Sequence, residues 1–395
     1  MPDSLILAIE SSCDETSAAV LRNGSEVLSN VVASQLIHSS YGGVVPELAA
    51  REHLRAIVPV VRQAMQRAGV TYNDLAAIAV TEGPGLAGAL LVGISFAKSL
   101  AFGAALPLIA VNHLEGHIHA VLMQNTFPQE SSPLLALVVS GGHTHLYLAT
   151  RTPRQKGFTW SYRNVGKTLD DAAGEAYDKV AKLLGLPYPG GPWMDALATH
   201  GRADPRLFPL ARIKAKVTGR TAPKLARESA AALDQARFDM SFSGLKTAVR
   251  RHVELSQMQS AIQQREHALR SMDLHRAKPD ATNIARALPH FDTETLNLIA
   301  SFQNSAIANL AHSAFKAAEH YGARGVLVSG GVAANRHLRQ TFQTIAQRAG
   351  LPIAFPEVAL STDNAAMIAA AAWPKLLAGE FAADTLEPAP QLRLG

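Results

Sequence analysis

Residues 134–149 read Leu-Leu-Ala-Leu-Val-Val-Ser-Gly-Gly-His-Thr-His-Leu-Tyr-Leu-Ala, which is two apolar runs on either side of a short polar turn. Residues 5–21 repeat this order, with a polar stretch around Asp14 and Glu15 between two apolar runs. Each stretch predicts two β-strands joined by a tight turn. We therefore expect two similar half-molecules, each opening with a hairpin that points into a common cleft.

The segments around these hairpins alternate between strand and helix signals. An amphipathic helix is predicted from about Pro46 to Ala68, ending at Gly69, and a longer helix from about Thr293 to Tyr321. Strands that alternate with helices indicate an α/β fold in which helices cover mixed sheets. The restart of the pattern predicts a first lobe over residues 1–133 and a second lobe over residues 134–395.

The composition is that of a globular chain long enough to bury a full core, with 395 residues of which 48% are hydrophobic and 17% charged. No apolar run approaches the roughly 20 residues that span a bilayer, so we expect no membrane association. The single cysteine, Cys13, excludes an internal disulfide framework and is typical of a reducing compartment, which predicts a cytoplasmic protein. The net charge of +5 permits a nucleic-acid partner without requiring one.

Two stretches differ from the rest in composition. Residues 202–227 hold eight Lys or Arg residues against one acid, Asp204. Residues 254–289 are rich in Gln, Arg and His, which indicates an inserted excursion that is either helical or mobile. Together they could extend a basic path for RNA, although a solvated surface is the preferred interpretation.

The pair His113 and His117 is the first candidate for chemistry. A spacing of four places both imidazoles on one face of a helix, one turn apart, which suits two metal ligands. The zinc-protease motif has a glutamate directly after its first histidine, whereas Glu115 lies two places later and cannot serve as that general base. The pair could equally be two helix-face histidines. As ligands they would need a further group, such as a carboxylate from elsewhere in the chain.

Two Ser-Gly-Gly turns, residues 140–142 and 329–331, each follow an apolar strand. Glycine in such a turn lets backbone N–H groups converge on phosphate oxygens, because a Cβ atom would block the approach and disfavour positive φ. Neither turn matches the P-loop or the dinucleotide-binding fingerprint. The alternative is that they are simply tight turns.

Acidic residues supply two further candidates. Asp171, Glu175 and Asp178 are spaced to share one helical face, either as a solvated stripe or as hydrogen-bond acceptors for substrate, with residues 189–192 closing the pocket. Asp363 lies at a predicted helix start, where a capping role is the simpler interpretation.

Taken together and in order, seven motifs resemble one family over nearly the whole chain. They are Asn112-His-Leu-Glu-Gly-His117, Val139-Ser-Gly-Gly-His-Thr144, Asp170-Asp-Ala-Ala-Gly-Glu-Ala-Tyr-Asp-Lys179, Pro189-Gly-Gly-Pro192, Phe242-Ser-Gly-Leu-Lys246, Ser329-Gly-Gly-Val-Ala-Ala-Asn-Arg336 and Thr362-Asp-Asn-Ala-Ala-Met-Ile368. The family is that of the tRNA N6-adenosine threonylcarbamoyltransferases. The resemblance implies two lobes of the actin/hexokinase/heat-shock-70 type, with the active site in the cleft between them.

The resemblance also implies site residues. His113, His117 and Asp363 match the family's metal ligands, for which iron is the usual divalent ion and zinc an alternative. The positions that match the adenylate-binding site are Val138, Val139, Ser140, Gly141, Gly142, Asp178, Gly191, Asp195 and Asn335. Asp14 and Glu15 are our hypothesis for proton removal, although they could equally shape the first turn. Cys13 invites a nucleophile hypothesis, which we discount because no histidine lies nearby in sequence.

The implied reaction transfers the threonylcarbamoyl group from threonylcarbamoyl-AMP to N6 of the adenosine that follows the anticodon, in tRNAs reading codons that begin with adenine, and releases AMP. The implied partners are tRNA, an inactive paralogue, a small ATPase and a separate synthase that supplies the adenylate; ATP is an alternative nucleotide ligand. The rival hypotheses are a metal-dependent glycoprotease, a small-molecule kinase of the same fold and a non-catalytic scaffold.

Overall fold

The hairpin predicted over residues 5–21 opens a five-stranded mixed sheet in the computed structural model, which describes residues 3–35, 37–38, 41, 43–124, 132–153, 158–208 and 238–395. Its strand order is β3-β2-β1-β4-β5, with β1, β2 and β3 antiparallel and β4 and β5 parallel to β1. The strands are β1 Leu5–Glu10, β2 Glu15–Arg22, β3 Glu26–Ser34, β4 Leu75–Gly83 and β5 Leu108–Asn112.

The second hairpin opens a sheet of the same topology, in the order β10-β9-β6-β7-β8. Strand β7 is antiparallel to both β6 and β8, and β9 and β10 run parallel to β6. The strands are β6 Leu134–Val139, β7 Thr144–Pro153, β8 Phe158–Lys167, β9 Val326–Ser329 and β10 Ile353–Ala354. The repeated topology confirms the predicted pair of similar half-molecules and the α/β fold class.

Helices flank both sheets. They are α1 Pro46–Ala68, α2 Ala87–Ala104, α3 His113–Leu122, α4 Ala173–Leu183, α5 Gly190–Ala198, α6 Ser243–Leu255, α7 Gln259–Ser271, α8 Ala281–Ala287, α9 Thr293–His320, α10 Arg336–Ala349 and α11 Ala365–Ala378. As predicted, α1 begins at Pro46, whose missing N–H suits a first helical turn, and ends at Gly69 in the left-handed conformation with φ 67°. The prediction for α9 is confirmed to within one residue.

Two of these helices, α3 and α11, lie between the sheets and contact each other. The apolar side of α3 packs against the second sheet through Leu114 and Ile118. The alanine-rich α11 packs against the first sheet, with Ala365 and Ile368 in the same cluster as Ile6 of β1. Each sheet is therefore covered by a helix that follows a strand of the other sheet. The division into residues 1–133 and 134–395 stays a prediction, and the packing of these helices crosses it.

The excursion over residues 254–289 is helical, which is the first of the two predicted alternatives. It comprises the end of α6, then α7 and α8. Arg265 of α7, only 2% exposed, donates to the carbonyl oxygen of Leu184 at 2.6 Å and to Thr295 Oγ1 at 2.9 Å. These bonds fasten α7 to the ends of α4 and α9. Of the basic stretch 202–227, residues 209–227 lie outside the described residues.

Among the described residues, α2 is one helix that is long and apolar enough to cross a membrane by length and composition alone. Its inward side, including Leu90, Ile94 and Ala97, is buried in the core of the first sheet. One such helix is weak evidence for a membrane span because a core helix has the same composition.

Candidate functional site

The histidine pair lies at the start of α3. The side chain of Asn112, the last residue of β5, accepts a hydrogen bond from the Leu114 N–H at 2.9 Å and so begins the helix at His113. This cap presents His113 and His117 on one side of α3, as their spacing predicts, with ring centroids 4.7 Å apart. Both side chains are buried.

Asp363 completes the cluster. Its Oδ1 lies 3.6 Å from His113 Nε2 and 3.2 Å from His117 Nε2, and one potential ligand atom from each residue falls within 4.8 Å of the others. The capping interpretation of Asp363 is wrong, because the neighbouring Asn364 caps α11 by accepting from the Met367 N–H at 3.1 Å. The Asp363 carboxylate is therefore free to face the two histidines.

The three side chains fit a divalent metal ion. The Nδ1 atom of His117 is buried without a hydrogen-bond partner among the described residues, and its Nε2 atom has the Asp363 carboxylate 3.2 Å away. A buried polar atom with no partner is costly in a site that serves no ligand. Two imidazoles and one carboxylate form the donor set of a facial metal site that keeps open positions. We refer to these three residues as the metal trio.

Charge couples the members of the metal trio. Burial alone would lower the pKa of His113, but the carboxylates of Asp363 and Glu10 outweigh it and raise that pKa to about 9. Burial would conversely raise the pKa of Asp363, yet His113 and His117 hold it well below its usual range. Without a metal ion the trio therefore carries a proton on His113.

Glu115 takes no part in this cluster. It is buried, and its Oε2 lies 3.0 Å from Lys375 Nζ of α11. Its pKa is raised by burial, which Lys375 offsets only in part. Because Glu115 is held by Lys375, it is not placed as a general base for the histidine pair.

The first Ser-Gly-Gly turn joins β6 to β7. The Ser140 N–H donates to the carbonyl oxygen of His143 at 2.7 Å, and the His143 N–H donates to Ser140 Oγ at 3.2 Å. The expected need for positive φ is not met at Gly141 or Gly142. A Cβ atom at either glycine would meet nothing within 4 Å, so both backbones face open space. The turn thus leaves room for a ligand, although the protein itself does not require glycine there.

The two valines before this turn are fully buried strand residues. Val138 and Val139 pack inside the cores on either side of β6, so only their backbone could meet a ligand. The second turn behaves differently from the first. Gly330 has φ 94°, and a Cβ atom there would lie 2.3 Å from the carbonyl oxygen of Val139. Gly330 is required by backbone geometry.

Asp178 projects from α4 toward the loop that begins α5. Its Oδ1 accepts a hydrogen bond from the Gly190 N–H at 2.7 Å. Burial raises the pKa of Asp178 to about 6, against the opposing effect of bonds from the Gly190 and Gly191 N–H groups. Gly191 also faces open space, since a Cβ atom there would meet nothing within 4 Å.

The prediction that three acids share one helical face is wrong for Asp171, because Asp171 precedes the first residue of α4. Asp171 binds Lys179 at 2.6 Å and Lys246 at 2.7 Å, and Glu175 also pairs with Lys179. The spacing signal failed here because the helix starts two residues after Asp171. Lys246 comes from a distant part of the chain, and no local pattern indicates it.

Asp195 and Asn335 already have protein partners. Asp195 Oδ2 lies 3.2 Å from Arg336 Nε. The side chain of Asn335 caps α10 by accepting from the Leu338 N–H at 2.9 Å, and it donates to Gln303 Oε1 at 2.8 Å. A substrate role for both residues stays a prediction.

The polar turn of the first hairpin contains Cys13, Asp14 and Glu15. Burial, together with Asp14 and Asp363, raises the pKa of the Cys13 thiol, which keeps it protonated and supports discounting it as a nucleophile. Burial and the neighbouring Asp14 also raise the pKa of Glu15 well above its usual range. The catalytic role of Asp14 and Glu15 stays a prediction.

Two further side chains lie beside the metal trio, of which His143 belongs to a quoted motif and Glu10 was not predicted. The imidazole of His143, from the first Ser-Gly-Gly turn, lies 6.1 Å from that of His113 between ring centroids, and burial with nearby histidines lowers its pKa to about 3. Glu10 lies 3.2 Å from His113 Nδ1. The only sequence signal for Glu10 is an acid at the end of an otherwise apolar strand.

The fold and site define a two-sheet α/β protein that carries a candidate metal centre beside a glycine-rich turn. The family model described as TsaD, tRNA N6-adenosine threonylcarbamoyltransferase, matches residues 26–370. The chain belongs to this family. The prediction made from the seven motifs is therefore confirmed, and with it the prediction of an enzyme that modifies tRNA.

Individual relatives carry the same description. The chain is 56% identical to a tRNA N6-adenosine threonylcarbamoyltransferase from Koribacter versatilis, with 100% of both chains covered. It is 44% identical to the protein of that name from Moorella thermoacetica, covering 98% of this chain and 97% of the relative. The Bacillus subtilis protein of that name is also 44% identical, over 93% of this chain and 90% of its own length.

Similar solved structures include full-length HypF, with a TM-score of 0.47 and 13% identity over 96% of this chain and 56% of that one. Another is the activator of the 2-hydroxyisocaproyl-CoA dehydratase from Clostridium difficile, with a TM-score of 0.44 and 11% identity over 96% and 97%. Both scores are below 0.5, so the description of the fold rests on the two sheets themselves.

Proposed function

We propose that this chain transfers the threonylcarbamoyl group from threonylcarbamoyl-AMP to N6 of the adenosine that follows the anticodon, in tRNAs reading codons that begin with adenine, and releases AMP. The proposal is supported most directly by the closeness of the first Ser-Gly-Gly turn to the metal trio. The ring centroid of His143, in this turn, lies 6.1 Å from that of His113. A phosphate held by this turn places the adjoining acyl group near the trio.

In this proposal Gly141 and Gly142 face the phosphate of the adenylate, because their backbones border open space. Asp178 accepts a hydrogen bond from the nucleoside. The other residues proposed to contact the adenylate are Val138, Val139, Ser140, Gly191, Asp195 and Asn335. The first two would act through their backbone, since their side chains are buried.

The reaction joins N6 of adenosine to the carbamoyl carbon and breaks the bond from that carbon to the phosphate oxygen, which leaves with AMP. A divalent ion held by the metal trio, iron in our proposal with zinc as the alternative, would polarise the acyl carbonyl and offset negative charge on the leaving phosphate. N6 loses one proton in the step. Asp14 and Glu15 are the proposed acceptors, and the interaction of Glu15 with Asp363, which helps to raise the pKa of Glu15, supports a position near the metal trio.

We propose that the chain acts in the cytoplasm with tRNA, an inactive paralogue and a small ATPase, and that a separate synthase supplies the adenylate. Exposed apolar side chains on two helices that contact each other support a protein partner. They are Leu54 and Val58 of α1 and Leu91 and Phe102 of α2, which are 65%, 47%, 53% and 92% exposed. We refer to these four residues as the α1–α2 face.

Alanine variants of His117 and Asp363 test the proposal. Each removes one donor of the metal trio, so bound metal and threonylcarbamoyl transfer to tRNA are both expected to be lost while the far-UV circular dichroism spectrum is kept. The assay reconstitutes the partners with threonylcarbamoyl-AMP and quantifies modified nucleoside by mass spectrometry. His200→Ala, at an exposed histidine, is the control and should retain both. Full transfer by both trio variants would contradict a role for the metal trio.

A further inference from the structure

Glu10 is a fully buried carboxylate at the end of β1, a strand whose other five residues are all buried and apolar. A carboxylate removed from water is costly unless hydrogen bonds compensate it. Its surroundings therefore need an explanation beyond packing.

One donor from the turn after β1 and one from β4 fix the orientation of this carboxylate. The Ser12 N–H donates to Oε1 at 2.5 Å, and Thr81 Oγ donates to Oε2 at 2.5 Å. Thr81 belongs to β4, which runs parallel to β1, with Ile9 paired to Val80. The side chain of Glu10 is held from two directions.

The third contact of Glu10 reaches the metal trio. Its Oε2 lies 3.2 Å from Nδ1 of His113, whose other nitrogen, Nε2, faces Asp363 at 3.6 Å. Ser12 Oγ is 3.1 Å from the same Nδ1. A carboxylate can only accept, so a neutral His113 beside Glu10 carries its hydrogen on Nδ1 and leaves the lone pair on Nε2. That lone pair points toward the other two members of the trio.

We propose that Glu10 is a positioning residue of the metal centre, selecting the tautomer and ring orientation of His113 in which Nε2 can bind a divalent cation. The inference rests on the proposed role of His113 as a ligand. Such outer carboxylates orient the first ligands and raise their basicity. His117 has no corresponding acceptor at Nδ1 among the described residues, so Glu10 acts on one ligand of the trio.

Glu10→Gln tests this in the full-length protein. The amide keeps the size of the side chain, but its NH₂ group can donate to Nδ1 and so drive the hydrogen of His113 onto Nε2. We expect the affinity for Co²⁺, measured by calorimetry and by the visible absorption of the bound ion, to fall roughly 10- to 100-fold. The far-UV circular dichroism spectrum of the metal-free protein should match that of the wild type, whereas its thermal midpoint is expected to fall because the variant removes a buried carboxylate that faces His113.

Two further variants separate positioning from packing. Thr81→Val removes one donor that orients Glu10 but keeps the carboxylate, so a smaller loss of Co²⁺ affinity is expected. Glu82→Gln, at the next residue of β4, is the control and should bind Co²⁺ as the wild type does. If Glu10→Gln binds Co²⁺ like the wild type, or if it loses the far-UV spectrum of the folded protein together with its affinity while Thr81→Val binds Co²⁺ like the wild type, the proposal is overturned.

His113→Ala distinguishes failure of this inference from failure of the metal centre itself. If His113→Ala loses Co²⁺ binding while Glu10→Gln keeps it, the centre stands and the positioning role of Glu10 is wrong. If His113→Ala binds Co²⁺ as tightly as the wild type, then His113 is no ligand and both proposals are overturned.

Discussion

His113 lies between two carboxylates, with Glu10 at its Nδ1 and Asp363 near its Nε2. In the metal-free protein these charges favour the imidazolium, and a metal ion must displace its proton, since only the neutral ring can donate a lone pair. The same charges that stabilise the proton also attract a divalent cation. Metal binding and proton release are therefore expected to be coupled at this residue.

We predict that binding of Co²⁺ at pH 7.5 releases close to one proton, because the pKa of His113 is raised to about 9. The affinity should increase with pH and level off above about 9. Calorimetry in buffers with different ionisation enthalpies measures the proton count. An affinity that stays constant between pH 6.5 and 8.5 would contradict the prediction.

The same shift affects the stability of the metal-free protein. The pKa of His113 is raised above its ordinary value of 6.5. Its contribution to stability is therefore fully present below pH 6.5 and is lost as the pH rises through about 9. Excess metal should weaken this dependence, because the bound form carries no proton at His113.

Asp178 offers a second test at this scale. With a pKa raised to about 6 by burial, it is a carboxylate at neutral pH and gains a proton below that value. Asp178→Asn should raise the KM for threonylcarbamoyl-AMP roughly 10- to 100-fold, the loss of a charged hydrogen bond, with a smaller change in kcat. The wild-type KM should rise below pH 6. Glu175→Gln, on the same helix but exposed, is the control, and an unchanged KM in Asp178→Asn would contradict a binding role.

At the scale of elements, one side chain holds the inserted excursion over residues 254–289 against the rest of the protein. Its second helix, α7, has a polar outer surface with few apolar residues to hold it, and Leu269 is its one buried apolar side chain. The buried guanidinium of Arg265 supplies three hydrogen bonds to acceptors outside α7, one of them to the carbonyl oxygen of His290 at 3.2 Å. It also lies over the ring of Phe291, 4.6 Å from its centroid.

Arg265→Ala should therefore destabilise the protein by about 3 kcal/mol, since it removes charged hydrogen bonds and leaves buried acceptors unpaired. Arg270→Ala is the matched control on the same helix. Arg270 pairs with Glu266 at the surface, where a pair of this kind contributes less than about 1 kcal/mol. Urea unfolding followed by circular dichroism gives both values. Equal losses in the two variants would refute the anchoring role of Arg265.

At the scale of the whole molecule, two features link the sheets. His113 and His117 lie in α3, and Asp363 directly precedes the capping residue of α11. The metal trio therefore forms only when both sheets are assembled around these two helices. The tail after α11 reinforces this link. The Ala389 N–H bonds to Glu82 of β4, whereas Leu394 is buried in the core beneath the second sheet.

The α1–α2 face also concerns the whole molecule, because its apolar side chains are exposed to solvent in the monomer. Phe102→Asp should weaken association with the paralogue at least tenfold while the isolated chain keeps its thermal midpoint. Val358→Asp, at another exposed apolar residue, is the control. Analytical ultracentrifugation of the mixed proteins measures the affinity, and unchanged association of Phe102→Asp would rule this face out.

Several elements were predictable because their signals are local. The paired hairpins, α1 with its terminal Gly69, and α9 follow from periodicity and from residues that begin or end helices. The spacing of His113 and His117 likewise predicted that both side chains lie on one face of a helix. Local spacing misjudged Asp171, because α4 begins only at Ala173 and Asp171 instead pairs with Lys179 and with the distant Lys246.

By itself, the sequence determined the repeated α/β topology, the family and the histidine pair, since strand alternation, helix periodicity and motif order are properties of neighbouring residues. Only the tertiary structure decided that Asn364 rather than Asp363 caps α11, that Asp363 meets the histidines, and that Glu10 supports His113 from behind. The last two of these facts depend on contacts between residues more than 100 positions apart, which the packing of α3 and α11 between the sheets creates. Such distances leave no trace in local spacing.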